Sequence, residues 1–398
     1  MKKQLVLTLF TAAVCVLFPA RTVFAQEIKM SGEAKTGVYW RQSQQAGQDP
    51  KAYVSLHSTD DAGSANDTNA NPGRFRLNIE YDNGKNVGMK TRINWQNWAP
   101  NNDTSPPTWS YAFAYGNYFD NQLSIAVGKL GGSPWGTGGP EMWKELEDGV
   151  GGMRTEWKPA SLPFPGQLNV GFVLNTFNSD RDQGSDLKDK PISMLNILRE
   201  SVIGVSYTHD LFMIRMAYRF DDELDAQQDN KIQGSREDDF IYRIEERVIR
   251  NYLPGFSVWA LGDLFAISDE RIQYLRNWLF VQYAPDLFTA QIRFGYDKIS
   301  NRSEAYVKPS FYLNLLDKLI SVGAALQFAQ DFGDGKVNKS APYHSLEIEP
   351  KVQINLPSSY IAFAYNWKQE YVNPNLVPAG KEAIKQTQWM NLRYCIYF

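Results

Sequence analysis

The feature that most constrains this chain is the strict alternation of residues in its last segment, residues 385–398. Apolar side chains occupy every second position from Met390 to Phe398, and Asn391 and Arg393 are among the residues between them. A period of two predicts a β-strand with two chemically different faces. Such a strand fits a closed barrel in a membrane, where no edge remains unpaired in lipid, and the alternative for this stretch alone is an edge strand of a soluble sheet.

The same alternation recurs along the chain and is clearest in the first predicted strand and in one predicted hairpin. Residues 28–40 alternate from the outset, and residues 74–81 and 87–96 flank the turn sequence Asp82-Asn83-Gly84-Lys85. An Asn-Gly pair adopts positive φ readily and is a strong hairpin signal. The chain is therefore predicted to be all-β and antiparallel.

The connections between these segments alternate between short and long. The short ones fall at 119–121, 209–210, 284–286, 316–318 and 357–359, and the long ones at 41–73, 100–108, 131–149, 178–199, 221–239, 331–342 and 372–384. Transmembrane barrels carry short periplasmic turns and long extracellular loops, and a chain that starts and ends in the periplasm needs an even strand number. The count is about eighteen, or about sixteen if two weak segments are loops.

Two segments fit the alternation poorly. Within residues 240–250, the pattern turns Glu246 towards lipid, which is costly at mid-membrane and is relieved by a bulge or by a position near the headgroups. Residues 272–283 are apolar on both faces. A set of aromatic residues near strand ends is predicted to form the interfacial girdles: Trp40, Trp95, Tyr111, Trp157, Tyr218, Trp367 and Tyr371.

The amino-terminal residues predict export. Residues 1–25 have a basic start, an apolar core and a small-residue cleavage pattern, so we expect a signal peptide that ends before Gln26. The mature chain then contains only Cys395, which excludes an intrachain disulfide. The full sequence has a net charge of −3, and loss of Lys2, Lys3 and Arg21 makes the mature chain more acidic, which gives no support for nucleic-acid binding.

The final strand resembles the last strand of bacterial outer-membrane barrels, in which a terminal Phe serves as an assembly signal; Ile396 stands where many of them have an aromatic residue. The resemblance implies a single barrel domain, residues 26–398, in a bacterial outer membrane. It also implies contact with lipopolysaccharide-type lipids and recognition of the strand ending in Phe398 by the barrel-assembly machinery. Porins, which the chain resembles in pattern, are often homotrimers, but no trimer face is identifiable.

Basic side chains dominate the inward positions of the predicted strands. The predicted basic wall comprises Lys29, Lys35, Arg74, Arg76, Lys90, Arg92, Arg154, Arg215, Arg219, Arg293 and Arg393, with Lys351 also inward. Such charges are tolerable when water screens them or carboxylates oppose them, which predicts a wet lumen. In porins the third loop folds inward with acids facing arginines, and residues 131–149 match in position, with Glu141, Glu145, Glu147 and Asp148. An exposed outer loop is the alternative.

The expected function is an outer-membrane porin that passes small hydrophilic solutes with a weak anion preference, without enzymatic activity or a cofactor. The alternatives are an adhesin or antigen that displays residues 41–73 on a barrel, a hydrophobic-solute transporter, an outer-membrane lipid hydrolase and a secreted soluble β-protein. His57, His209 and His344 belong to no catalytic motif. The Gly-rich run 131–139 lacks the Lys-Ser/Thr of a phosphate loop. Asp180, Asp182 and Asp186 have calcium-loop spacing without the closing Glu, so a solvated loop is favoured.

Overall fold

The computed structural model describes residues 27–44, 48–56, 74–84, 86–96, 106–137, 146, 151–177, 201–220, 238–267, 272–299, 302–332, 342–372, 377, 380 and 382–398. The predicted signal peptide lies outside these residues. The strands are β1 (Glu27–Gln44), β2 (Lys51–Leu56), β3 (Arg74–Asp82), β4 (Val87–Gln96), β5 (Thr108–Tyr118), β6 (Leu123–Lys129), β7 (Gly151–Trp157), β8 (Gln167–Phe177), β9 (Val202–Thr208), β10 (Phe212–Arg219), β11 (Asp238–Glu246), β12 (Phe256–Ile267), β13 (Ile272–Tyr283), β14 (Phe288–Ile299), β15 (Arg302–Leu315), β16 (Ile320–Asp331), β17 (Pro342–Leu356), β18 (Ser359–Val372) and β19 (Ile384–Tyr397).

These strands form one closed antiparallel β-barrel of eighteen positions around its circumference. β1 pairs on one edge with β19, from Glu33–Tyr397 to Gln44–Gln386. Its other edge is shared, because β3 pairs with the first half of β1 and β2 with the second half. The predicted count of about eighteen strands is therefore confirmed. The long loop predicted at 41–73 is partly wrong, since β1 continues to Gln44 and β2 follows it.

Alternation places apolar side chains on the outside of the barrel. On β1, Ile28, Met30 and Val38 are exposed, whereas Glu33 and Tyr39 are buried on the opposite face. On β19 Met390, Leu392, Tyr394 and Ile396 are likewise exposed, as predicted. An apolar outer band around a closed sheet is the structure required in a bilayer, where every backbone polar group needs a partner. The all-β transmembrane prediction is thus confirmed, and a bacterial outer-membrane location agrees with this architecture.

The two ends of the barrel differ. We call the end that carries residues 83–84, 119–122, 209–211, 284–287, 316–319 and 357–358 the turn end, and the opposite one the loop end. One turn-end connection contains a short helix, α1 (Val248–Tyr252). Within the described residues no helix is both long and apolar enough to span a membrane.

The two poorly fitting segments contain the strands β11 and β13, although β11 ends at Glu246 and residues 248–250 of the first segment belong to α1. Glu246 has the outward parity but is the last residue of β11, at the turn end, and its Oε1 accepts a hydrogen bond from the Ile249 N–H at 2.6 Å. The position near the membrane surface thus relieves the predicted cost. In β13, Trp278 and Phe280 point inward and are buried, while Leu279 is exposed. The aromatic residues on the inner face thus hide the apolar–polar alternation in the sequence of this strand.

One predicted girdle residue is wrong. Tyr111 faces the lumen, where its ring lies 4.8 Å from the Arg92 Cζ atom. The β4–β5 register shifts between Arg92 and Ile93, which pair with Tyr111 and Trp109. A bulge changes which face a residue occupies, so the simple alternation assigned the side chain to the wrong side.

Phe398 lies at the seam that closes the barrel. Its N–H and C=O exchange hydrogen bonds with Gly32 at 3.1 and 2.7 Å. Its ring stacks on Phe75, with 5.8 Å between centroids. A side chain at position 32 would overlap that ring, which explains the glycine there. Phe398 therefore contacts both β1, through Gly32, and its neighbour β3, through Phe75.

Candidate functional site: the lumen and its third loop

The strand registers place the predicted basic wall on the lumen face. Lys29, Lys35, Arg74, Arg76, Lys90 and Arg92 lie on one continuous patch of β1, β3 and β4, because Lys35 pairs with Arg74, and Arg92 with Asn78. The other predicted residues, Arg154, Arg215, Arg219, Arg293, Lys351 and Arg393, share the inward parity of their strands but are distributed around the barrel. Only the first group forms a wall.

A single buried carboxylate holds three cations of this wall together. Glu33 is 8% exposed, and its Oε1 lies 2.6 Å from Arg74 Nη2 and 3.5 Å from Arg76 Nη1. Its Oε2 lies 3.2 Å from Lys35 Nζ. One negative charge balances one of the three positive charges, so this part of the wall remains cationic.

Neutral groups orient the neighbouring arginines. The Nε–H of Arg76 donates to Asn94 Oδ1 at 2.9 Å, and that of Arg92 donates to Asn78 Oδ1 at 2.7 Å. Tyr111 lies against the face of the Arg92 guanidinium. These contacts fix the direction of the guanidinium groups without neutralising them, which leaves donors for a solute.

The described part of the third loop, residues 130–137, lies inside the barrel. Trp135 is completely buried against the inner wall. Its indole contacts Gly171 of β8 and Gly204 of β9, which are direct partners in the register. A Cβ atom at either position would overlap the indole. The paired glycines thus form a flat recess that receives the tryptophan.

Two arginines of the inner barrel face, both outside the β1–β3–β4 wall, bind the backbone of this loop. Arg154 Nη1 donates to the Gly131 carbonyl at 3.2 Å, and Arg243 Nη1 donates to the Thr137 carbonyl at 3.0 Å. Leu146 is also buried in the same cluster as Trp135, together with Phe113, Val173 and Ile241. Residues 130–137 and Leu146 therefore lie on the inner side of the barrel wall, and the inward fold of residues 131–149 as a whole stays a prediction. The four predicted acids, Glu141, Glu145, Glu147 and Asp148, lie outside the described residues.

A second lumen cluster was not predicted from the sequence. Trp259, Trp278, Phe280 and Tyr306 form a buried inward group on β12, β13 and β15. The Arg293 Cζ atom lies 4.9 Å from the Trp278 ring and 5.1 Å from the Tyr306 ring. The signal was present in β13, where apolar residues on both faces indicate an aromatic inner wall.

The remaining candidate residues form no reaction centre in the described ranges. His209 Nδ1 accepts a hydrogen bond from the Leu211 N–H at 3.1 Å in a turn, and His344 stacks on Tyr371 with 4.2 Å between centroids. His57 and the acidic segment 180–186 lie outside the described residues. Among described residues, no group of three or more His, Cys, Asp or Glu side chains is arranged to hold a metal.

No family model and no curated protein sequence matches the chain. Similar solved structures include DcaP, an outer membrane channel of Acinetobacter baumannii, which is 9% identical, covers 95% of this chain and 99% of its own, and has a TM-score of 0.47. OmpT, an outer membrane protein of Vibrio cholerae, is 9% identical, with coverages of 95% and 99% and a TM-score of 0.44. A mutant of the Rh. blastica porin is 11% identical, with coverages of 94% and 100% and a TM-score of 0.45.

Proposed function

We propose that this chain is an outer-membrane porin through which small hydrophilic solutes diffuse, with a weak preference for anions. The observation that carries the proposal is the described start of the third loop, residues 130–137, which lies inside a closed barrel with charged inward side chains and is fixed there by Trp135. A loop that only displayed an epitope would not need a tryptophan buried in a recess of the inner barrel wall. A water-filled lumen with polar walls favours polar solutes over apolar ones.

The weak anion preference is supported by the charge around Glu33. Arg74, Arg76 and Lys35 share that carboxylate, and Arg92 adds a further cation beside them. A fixed positive field in a narrow aqueous passage raises the local concentration of anions. Water and salt screen these charges over about 10 Å at 0.1 M, which limits the preference.

The test is single-channel recording on the refolded mature protein in a planar bilayer with a salt gradient. We expect stepwise conductance and an anion-leaning reversal potential. Arg74→Ala combined with Arg92→Ala should move the reversal potential towards cations without abolishing the steps. The matched control is Lys158→Ala with Lys318→Ala, which removes two positive charges away from this wall.

Conductance steps with a large cation preference would support the channel but refute the proposed role of the basic wall. A folded barrel that never conducts would favour the display barrel or the hydrophobic-solute transporter instead. The absence of enzymatic activity, a homotrimeric assembly and recognition by the assembly machinery through Phe398 remain predictions. Blue-native electrophoresis of the detergent-extracted protein tests the assembly state.

A further inference from the structure

We propose a small-anion binding site at the turn-end mouth of the lumen, formed by Arg215, Arg243, Arg247 and Arg250 around Glu245. The ligand class is an oxyanion that carries a carboxylate or phosphate group. This inference deepens the proposed channel function, on which it rests for the route by which the anion arrives. It involves none of the residues of the β1–β3–β4 wall.

Three guanidinium groups converge on the Glu245 carboxylate. Arg243 Nη2 lies 2.9 Å from Oε2, and on Oε1 Arg250 Nη1 lies at 3.3 Å and Arg247 Nε at 3.7 Å. Arg215 is the register partner of Arg243 on β10, so it projects into the same part of the lumen. Even if Glu245 fully balances Arg243, the charges of Arg247 and Arg250 remain.

The neighbouring acid on β11 does not add to this balance. Glu246 points to the other face of the strand, and its Oε1 accepts the Ile249 N–H. The bond holds α1 against the end of β11, which directs Arg247 and Arg250 back towards Glu245. A helix in a turn-end connection thus serves to bring two additional arginines to the mouth.

The cluster is accessible from the turn end and contacts the third loop through Arg243. The Arg250 side chain is 56% exposed and that of Arg247 28%, whereas that of Arg243 is 13% exposed. Arg243 also donates to the Thr137 carbonyl of the third loop. An anion from the turn-end side therefore meets Arg250 first. Planar guanidinium groups bind carboxylate and phosphate oxygens in a bidentate manner, and partial burial strengthens such bonds.

Calorimetric titration of the refolded, detergent-solubilised mature protein with inorganic phosphate at low salt tests the site. We expect saturable binding that weakens about tenfold or more in Arg247→Gln/Arg250→Gln. The charge-matched control, Lys158→Gln/Lys318→Gln, should bind phosphate as the wild type does. If the double arginine variant does not fold, Arg250→Gln alone provides the comparison, since its side chain is half-exposed.

Equal phosphate affinity in the wild type and the folded arginine variant would overturn the site, as would equal losses in the arginine and lysine variants. Bilayer recording separates this outcome from failure of the channel proposal. Phosphate binding by a protein that never conducts would refute the channel and retain the site. Conductance by a protein that does not bind phosphate would refute the site and retain the channel.

Discussion

The indole of Trp135 lies directly on Gly204, which has no side chain to separate the third loop from the barrel wall. Gly171 faces Gly204 across the β8–β9 pair and completes the recess. The position of the loop in the lumen thus depends on two residues that carry no functional group. Substitutions there are expected to change conduction while the charged wall stays intact.

Gly204→Ala is expected to displace Trp135 and raise the single-channel conductance, because a methyl group occupies the indole's place. Overpacking of this kind costs about 1–3 kcal/mol. In a Trp135→Ala background the same substitution should have no further effect, since the clash no longer exists. An equal increase in both backgrounds would show that the glycine acts by another route.

Glu33→Gln is expected to destabilise the barrel and increase its anion preference. The substitution leaves Arg74, Arg76 and Lys35 without their shared carboxylate, and loss of one partner of a buried ion pair costs about 3–5 kcal/mol. Urea unfolding in detergent measures the stability, and the reversal potential measures the preference. Glu80→Gln is the control, since its pair with Lys90 is more exposed, and it should cost less than about 1 kcal/mol.

Asp286 should titrate below its ordinary pKa of 3.8. The Lys318 ammonium, 2.6 Å from its Oδ1, lowers the pKa by hydrogen bonding and by its charge. The pair links two turn-end connections outside the membrane-spanning strands. Because the folded pKa is depressed, the stabilisation is present above pH 3.8 and is lost as the pH falls through the lower, folded value.

This titration can be followed by NMR of labelled aspartate side chains. In Lys318→Gln the midpoint for Asp286 should return towards 3.8. An unchanged midpoint in that variant would contradict the role of the ammonium. The effect on stability should be small, since exposed pairs contribute little.

Cys395 should be unreactive in the folded barrel. It is a free thiol, completely buried on the lumen face of β19, opposite Lys35 and Tyr360. Thiol reagents need an accessible thiolate, so labelling of the mature protein should occur only after unfolding. Tyr397→Cys in a Cys395→Ser background is the control, because position 397 is exposed and should react in the folded state. Rapid labelling of native Cys395 would contradict its burial.

The fold was predictable because a two-residue period carries the information that a barrel needs. Lipid contacts one face of every strand, and every second residue therefore faces the lumen. The inward basic residues from Lys29 to Arg92 could thus be identified from the alternation alone. Parity fails where a bulge shifts the register, as at Tyr111, and where both faces are apolar, as in β13. The Glu245 cluster could not be predicted, because Arg247 and Arg250 reach it from a connection whose helix is not encoded in the alternation.

The Trp135 recess illustrates the same limit. Gly171 and Gly204 are ordinary positions within their strands, and only the register makes them partners. The sequence indicates a glycine-rich segment at 131–139 but not the two distant glycines that receive it. Long-range pairing of this kind depends on the three-dimensional strand order, which local patterns do not specify.

The division of one β1 edge between β2 and β3 has a consequence for the order of assembly. Before closure, β1 has two edges that the final strand could join, and its true partner β19 is more distant in sequence than any other. β2 and β3 are the nearest strands in sequence, and together they cover the wrong edge over most of its length. Because nearby contacts form before distant ones, β19 arrives when only the correct edge is free. We therefore expect the short β2 strand to disfavour closure of the barrel on the wrong edge of β1.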